Sequence, residues 1–139
     1  MPKASIACIA LDGQKILIAH RNPTGQMGGR WEFPGGKVEK GEDDVQAVVR
    51  EMKEELGIKV KVIEKITEAS FVHNSEKVSL HCYLIKVPHK GKIFKYHLTE
   101  HTEYKWVKAE EIQQLNFVDS DLLLYPDVKK YVYSHGKLK

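Results

Sequence analysis

Two apolar runs open the chain, Ser5-Ile-Ala-Cys-Ile-Ala-Leu11 and Lys15-Ile-Leu-Ile-Ala19, parted at Asp12-Gly13. Asp-Gly between such runs predicts a β-hairpin. From Arg21 to Arg30 the pattern loses any period and Pro23, Gly25, Gly28 and Gly29 punctuate it, which reads as a loop. Trp31-Glu32-Phe33 predicts a short strand and Pro34-Gly35-Gly36 a turn. Between Asp43 and Leu56, apolar Ala47, Val48, Met52 and Leu56 recur at helical spacing among charged residues, and Gly57 follows as a C-terminal stop. Strands are predicted over Lys59–Ile66, Val78–Val87 and Lys92–Tyr96, with Trp106-Val107 completing the set. Ala109–Leu115 reads as a short helix, Asp121–Tyr133 as another interrupted at Pro126, and His135–Lys139 as a frayed tail. Strands around one central helix, with more helix at the end, predict a mixed sheet between helices.

Composition narrows the function classes. The 139 residues, 42% hydrophobic and 29% charged, suit one globular domain over 1–139 with a core that needs no staples. The 22 basic and 19 acidic residues leave only +3, so no stable nucleic-acid complex is expected. Cys8 and Cys82 are too few for a disulfide framework or a four-thiolate zinc site, and both read as buried free thiols. No apolar stretch approaches the ~20 residues of a membrane span and the N-terminus lacks a signal-peptide layout, so a cytoplasmic protein is expected.

The candidate chemistry lies on the central helix. Glu51 sits three and four residues before Glu54 and Glu55, so the three carboxylates neighbour one another on the helix surface. They repel, and locally only Arg50 and Lys53 offset that charge. The cluster is either a solvated face or a site for a hard divalent cation, Mg²⁺ or Mn²⁺, which prefers oxygen ligands and bridges carboxylates to phosphates.

The residues before the helix decide between these. Gly36 to Glu42, seven further residues, then Arg50-Glu-Met-Lys-Glu-Glu-Leu-Gly-Ile58 fit G-x5-E-x7-R-E-U-x-E-E-x-G-U, with U aliphatic. The seven fixed letters alone match a given start by chance on the order of once in a billion. The segment resembles the Nudix box with every defined position filled. Trp31 to Lys37 resembles the lead-in of MutT-like members, and Ile16 to Arg21 the strand that delivers an arginine to substrate. Glu100, six residues before Trp106, matches an acid that joins the box from outside; Asp121, fifteen residues after Trp106, matches a position that often reads the base. The resemblance spans roughly Ser5 to Val132 and implies an α/β fold, the Nudix α/β/α sandwich with a mixed central sheet and a catalytic loop–helix–loop.

It further implies metal-dependent hydrolysis of a nucleoside diphosphate linked to another moiety. Glu51, Glu54, Glu55 and Glu100, with a main-chain carbonyl at Gly35 or Gly36, are the expected metal ligands. Glu51 and Glu100 are the candidates for the general base. Arg50 is expected to pair with Glu42 and to orient Glu51, while Gly36, Glu42 and Gly57 shape the loop–helix–loop. Arg21 and Lys37 are expected on phosphate oxygens, or else as plain surface cations. Phe33 packs on the base or belongs to the core. Asp121 either reads the base or caps the last helix, together with Asp119 and Ser120. MutT-like enzymes acting on oxidised guanine nucleotides carry Asn at that place, and Asn both donates and accepts; an ionised Asp only accepts. Relatives with Asp there include hydrolases of CTP and 5-methyl-dCTP.

The leading expectation is a nucleoside triphosphate pyrophosphohydrolase that cleanses the nucleotide pool, a monomer or homodimer whose partner is its small-molecule substrate. Its target is an oxidised purine such as 8-oxo-dGTP or a cytidine-type triphosphate. The alternatives are a nucleotide sugar, dinucleoside polyphosphate or RNA 5′ end as substrate, or a non-catalytic nucleotide-binding module. His97, Glu100 and His101 lack further ligands for zinc, and the basic run Lys86, His89, Lys90, Lys92 and Lys95 reads as an exposed loop or as a patch that attracts a longer polyphosphate or an RNA 5′ end.

Overall fold

Strand β1 (Lys3–Asp12) is the central strand in the computed structural model, which describes residues 3–21, 28–88 and 101–135, and it pairs with three other strands. Residues 6–11 are all buried because both faces of β1 are covered: Ile6, Cys8 and Ala10 point to one core, Ala7, Ile9 and Leu11 to the other. The predicted hairpin forms, with Gly13 at φ 62° carrying the chain into β2 (Lys15–Arg21).

The remaining strands are β3 (Trp31–Glu32), β4 (Gly35–Lys37), β5 (Lys61–His73), β6 (Glu76–Lys86) and β7 (His101–Lys108). The sheet runs β3-β2-β1-β6-β5, with β4 added on β1 and β7 on β2. β1 and β6 are parallel and the other pairs antiparallel, so the sheet is mixed as expected. Helix α1 (Asp44–Leu56) covers one face through Ala47, Val48, Met52 and Leu56. The 3-10 helix Ala109–Gln114 and α3 (Tyr125–His135) cover the other through Ile112, Val128 and Val132, and the short α2 (Asp119–Leu122) lies between them. The result is the α/β/α sandwich. Cys8 and Cys82 are buried free thiols within it, their pKa values pushed up by burial.

Three expectations need correction. Gly35 and Gly36 do not turn the chain; they form β4, pairing with Ala7 and Ile6 of β1. The strand expected to end at Ile66 runs on to His73 as the long partner of β6. The last helix does not begin at Asp121: α2 and α3 are separate, and Pro126 sits in the first turn of α3, where its missing N–H costs nothing. The strand expected over Lys92–Tyr96 lies outside the described residues.

β1 shares one edge between two partners, β4 over Ser5–Ala7 and β2 over Leu11–Asp12. The fork where these partners diverge is where the candidate site lies.

Candidate active site

Helix α1, which carries Arg50, Glu51, Glu54 and Glu55, is held at both ends by its own sequence. Asp43 caps its N-terminus, its carboxylate accepting from Gln46 N at 2.8 Å while the Gln46 side chain accepts from Asp43 N at 2.9 Å. Gly57, left-handed at φ 68°, donates its N–H back to Lys53 O, fulfilling the expected stop.

Arg50 is the hub of the loop–helix junction. Its Nε and Nη2 donate to the two oxygens of Glu42 at 2.7 and 2.9 Å, Nη1 donates to Glu51 at 2.7 Å, and Nη2 also reaches the Lys37 carbonyl at 2.9 Å. The pairing with Glu42 and the orientation of Glu51 are both as the resemblance implies. The guanidinium, helped by the Glu39 amide, holds the Glu42 carboxyl down at about 2. Such planar two-point pairing fixes direction as well as distance, which a lysine would not do.

Glu51 and Glu55 face the sheet. Glu55 is buried at 4% exposure, and its carboxyl neighbours that of Glu51. Burial lifts the pKa of Glu51 against the pull of Arg50. Opposite them, a Cβ added at Gly36 would lie 2.4 Å from the Glu51 carboxyl carbon. Glycine there lets main chain and carboxylate close on one point. Glu54 stays outside, 60% exposed and 3.2 Å from Arg50 Nη1. Among the described residues no three acids, histidines or cysteines are gathered closely enough to hold a metal as they stand. The donors still fit a hard divalent ion: all are oxygens, two carboxyls already meet beside the Gly36 backbone, and an exposed i,i+4 pair such as Arg50–Glu54 is worth only about 0.3–0.5 kcal/mol to release.

A cavity of about 460 Å³ is lined by Gly36, Lys37 and Glu51 and by Glu32, Phe33 and Asp121. Lys37 is exposed at its edge, and Arg21 lines its wall. Arg21 is not a loose cation there, because its Nη1 donates to both oxygens of Glu32 at 3.1 and 3.0 Å. Phe33 turns out to be both core and lining: it is 3% exposed, packs edge-on against Phe117 at 5.1 Å, and shows its remaining surface to the cavity.

Asp121 corrects the capping reading. It lies inside α2, whose N-cap is Val118, and is 6% exposed with Oδ2 accepting from Phe33 N at 2.9 Å. Asp119 and Ser120 do not cap the last helix either; both belong to α2, and Asp119 pairs with Arg30 at 3.3 Å. Burial, reinforced by the Glu32 charge and opposed by the Phe33 amide and Arg21, pushes the Asp121 carboxyl up to about 8. The folded protein therefore keeps a proton that the unfolded chain has already lost. That contribution to stability is whole below the ordinary value of 3.8 and is lost as pH rises through about 8. In denaturant titrations from about pH 5 to about pH 9, the parent should lose stability relative to Asp121→Asn, whose amide does not ionise; equal slopes would contradict this.

Glu32, Ser5, Leu80, Phe71 and Ser120 also line the cavity, and sequence reasoning assigned none of them to it. They belong to different elements and share no local motif. Only Glu32 left a trace, as a charge between two aromatics on a short strand. Glu100, His97 and the basic residues 89–95 lie outside the described residues, and of His101 only the strand position is described.

Comparison with known proteins bears on family and fold. The NUDIX domain family matches residues 1–128. The CTP pyrophosphohydrolase of Escherichia coli (strain K12) is 37% identical over 118 residues, covering 85% of this chain and 84% of the relative. The 8-oxo-dGTP diphosphatase of Buchnera aphidicola subsp. Schizaphis graminum (strain Sg) is 27% identical over 125 residues, 90% of this chain and 92% of the relative. The solution structure of the E. coli ORF135 protein superposes with a TM-score of 0.79 at 32% identity, covering 95% of this chain and 91% of that one. Members of the family generally need divalent metal ions. Family match, fold and the filled box on α1 agree: the chain belongs to the Nudix family of hydrolases.

Proposed function

We propose that the protein hydrolyses nucleoside triphosphates to the monophosphate and pyrophosphate with Mg²⁺, or Mn²⁺ in its place, and that its substrates are 8-oxo-dGTP or cytidine-type triphosphates. The observation that carries this reading is the cavity itself, lined by Glu51, Lys37 and the Gly35–Gly36 backbone together with the Phe33 ring and the buried carboxyl of Asp121. Its volume is within the roughly 300–1,000 Å³ of small-molecule sites. The relatives named for CTP and for 8-oxo-dGTP support the same substrate classes.

In this reading Glu51, Glu54, Glu55 and a main-chain carbonyl at Gly35 or Gly36 hold the cation, with Glu100 joining them. Bound there, a divalent ion neutralises phosphate charge and makes water a stronger nucleophile. The protein's part is positioning. Arg50 fixes Glu51, and Lys37 holds phosphate oxygens. Arg21 acts chiefly by keeping Glu32 in the wall rather than as a free phosphate ligand. Glu51 or Glu100 removes the proton from water. Phe33 packs against the base and Asp121 reads its edge.

Separation of products from CTP and 8-oxo-dGTP tests the reaction type: nucleoside monophosphate with pyrophosphate supports it, diphosphate with phosphate overturns it. Asp121→Asn tests base reading. It should change the ratio of kcat/KM between the two substrates by about tenfold or more, as expected when one polar contact to a base is rewritten. A parallel change for both would remove Asp121 from recognition.

A further inference from the structure

Outside the cavity, two side chains of β6 reach the first turn of α1. Tyr83 OH donates to Asp44 Oδ2 at 2.6 Å, and His81 Nδ1 donates to the same oxygen at 2.7 Å. His81 and Tyr83 are two residues apart and so share one face of the strand. None of the three lines the cavity, and none caps the helix, which Asp43 and Gln46 already do. The carboxylate and imidazole are largely sheltered, with side-chain exposures of 23% and 21%. Of the charges on β5 facing them, Lys65 and Glu68, opposite Tyr83 and His81, are bonded to each other, and the Glu68 charge also acts on His81, Asp44 and Tyr83.

The position of Asp44 on the helix gives this contact its meaning. At about 100° per residue, Asp44, Glu51 and Glu55 fall within roughly a 40° arc, forming one stripe directed at the sheet. The rest of that face is Ala47, Val48, Met52 and Leu56, whose apolar contacts are non-directional and tolerate a small roll or slide of the helix. Two hydrogen bonds converging on one carboxylate oxygen do not. β6 also carries Leu80 into the cavity wall, so anchor and wall belong to the same strand.

We propose that Asp44 is a positioning residue: fastened to β6 by Tyr83 and His81, it sets the rotation of α1 and so aims Glu51 and Glu55 at the Gly36 backbone. This rests on α1 being the catalytic helix.

Asp44→Ala, Asp44→Asn and the double variant His81→Phe/Tyr83→Phe test it, with steady-state kinetics on CTP and 8-oxo-dGTP and amide hydrogen exchange across α1 without substrate. Asp44→Ala and the double variant should lower kcat about tenfold or more with KM within about twofold, since small misplacements of reacting groups are expensive. Exchange along α1 should quicken in both. Asp44→Asn keeps an accepting oxygen and should recover most of the loss. A kcat within about twofold of the parent in Asp44→Ala, unchanged exchange, or an Asn variant as impaired as the Ala one overturns the proposal. Should Glu51→Gln retain activity, the catalytic reading of α1 fails separately, and the exchange data still decide whether Asp44 fixes the helix.

Discussion

Glu51→Gln is expected to lower kcat by on the order of 10²–10⁴-fold, the range supplied by a positioned acid–base group, while the protein stays folded. The amide keeps the shape of the side chain and its oxygen can still accept from Arg50, so what disappears is charge and basicity. Glu54→Gln isolates the metal role more cleanly. Its side chain is 60% exposed and, among the described residues, its ion pair is with Arg50, so stability should hardly change. Loss of activity at unchanged stability then reports on chemistry. Hydrolysis at the parent rate in Glu54→Gln would remove that residue from the metal site; the same result for Glu51→Gln would undo the site altogether.

The two adjacent glycines of β4 should fail in different ways. A Cβ at Gly35 would sit 2.0 Å from the Ile6 carbonyl oxygen, and both belong to the backbone of paired strands, so neither can swing away. Gly35→Ala is expected to cost about 3 kcal/mol or more and to lower Tm by about 10 °C or more. At Gly36 the obstructing atoms are the carboxyl end of Glu51, 2.4 to 2.7 Å away, which can rotate. Gly36→Ala should therefore keep its fold and Tm within a few degrees but displace Glu51 from Arg50 and Glu55, cutting kcat on the order of 10²-fold. Thermal melts and kcat for both variants check the contrast. Equal loss of stability in the two would show that Gly36 serves the strand rather than the carboxylate.

How much of this was readable in advance follows from the range of each interaction. The β1–β2 hairpin, the span of α1 and its stop at Gly57 are decided by neighbours within a few residues, and all three were legible. So was the Arg50–Glu42 pair, because the loop and the helix that bear it are contiguous. β4 was not: Gly35 and Gly36 have turn composition, and only pairing with Ile6 and Ala7 makes them a strand. The far half of β5 is polar along its exposed side and is drawn into the sheet by β6. Asp121 beside Asp119 and Ser120 has the look of a cap; its carboxylate is instead turned inward by the amide of Phe33, 88 positions away. Arg21 shows the same limit, since its partner Glu32 comes from another strand.

The central claim, that this cavity binds and cleaves a nucleoside triphosphate, is tested most directly by kcat/KM on one panel with purified protein and Mg²⁺. The panel holds 8-oxo-dGTP, dGTP, CTP, dCTP, 5-methyl-dCTP, ADP-ribose and a 5′-triphosphorylated RNA. The account predicts a preference of about tenfold or more for 8-oxo-dGTP or a cytidine-type triphosphate, with pyrophosphate released. Preference for ADP-ribose or RNA, or turnover of none of the panel, would contradict it.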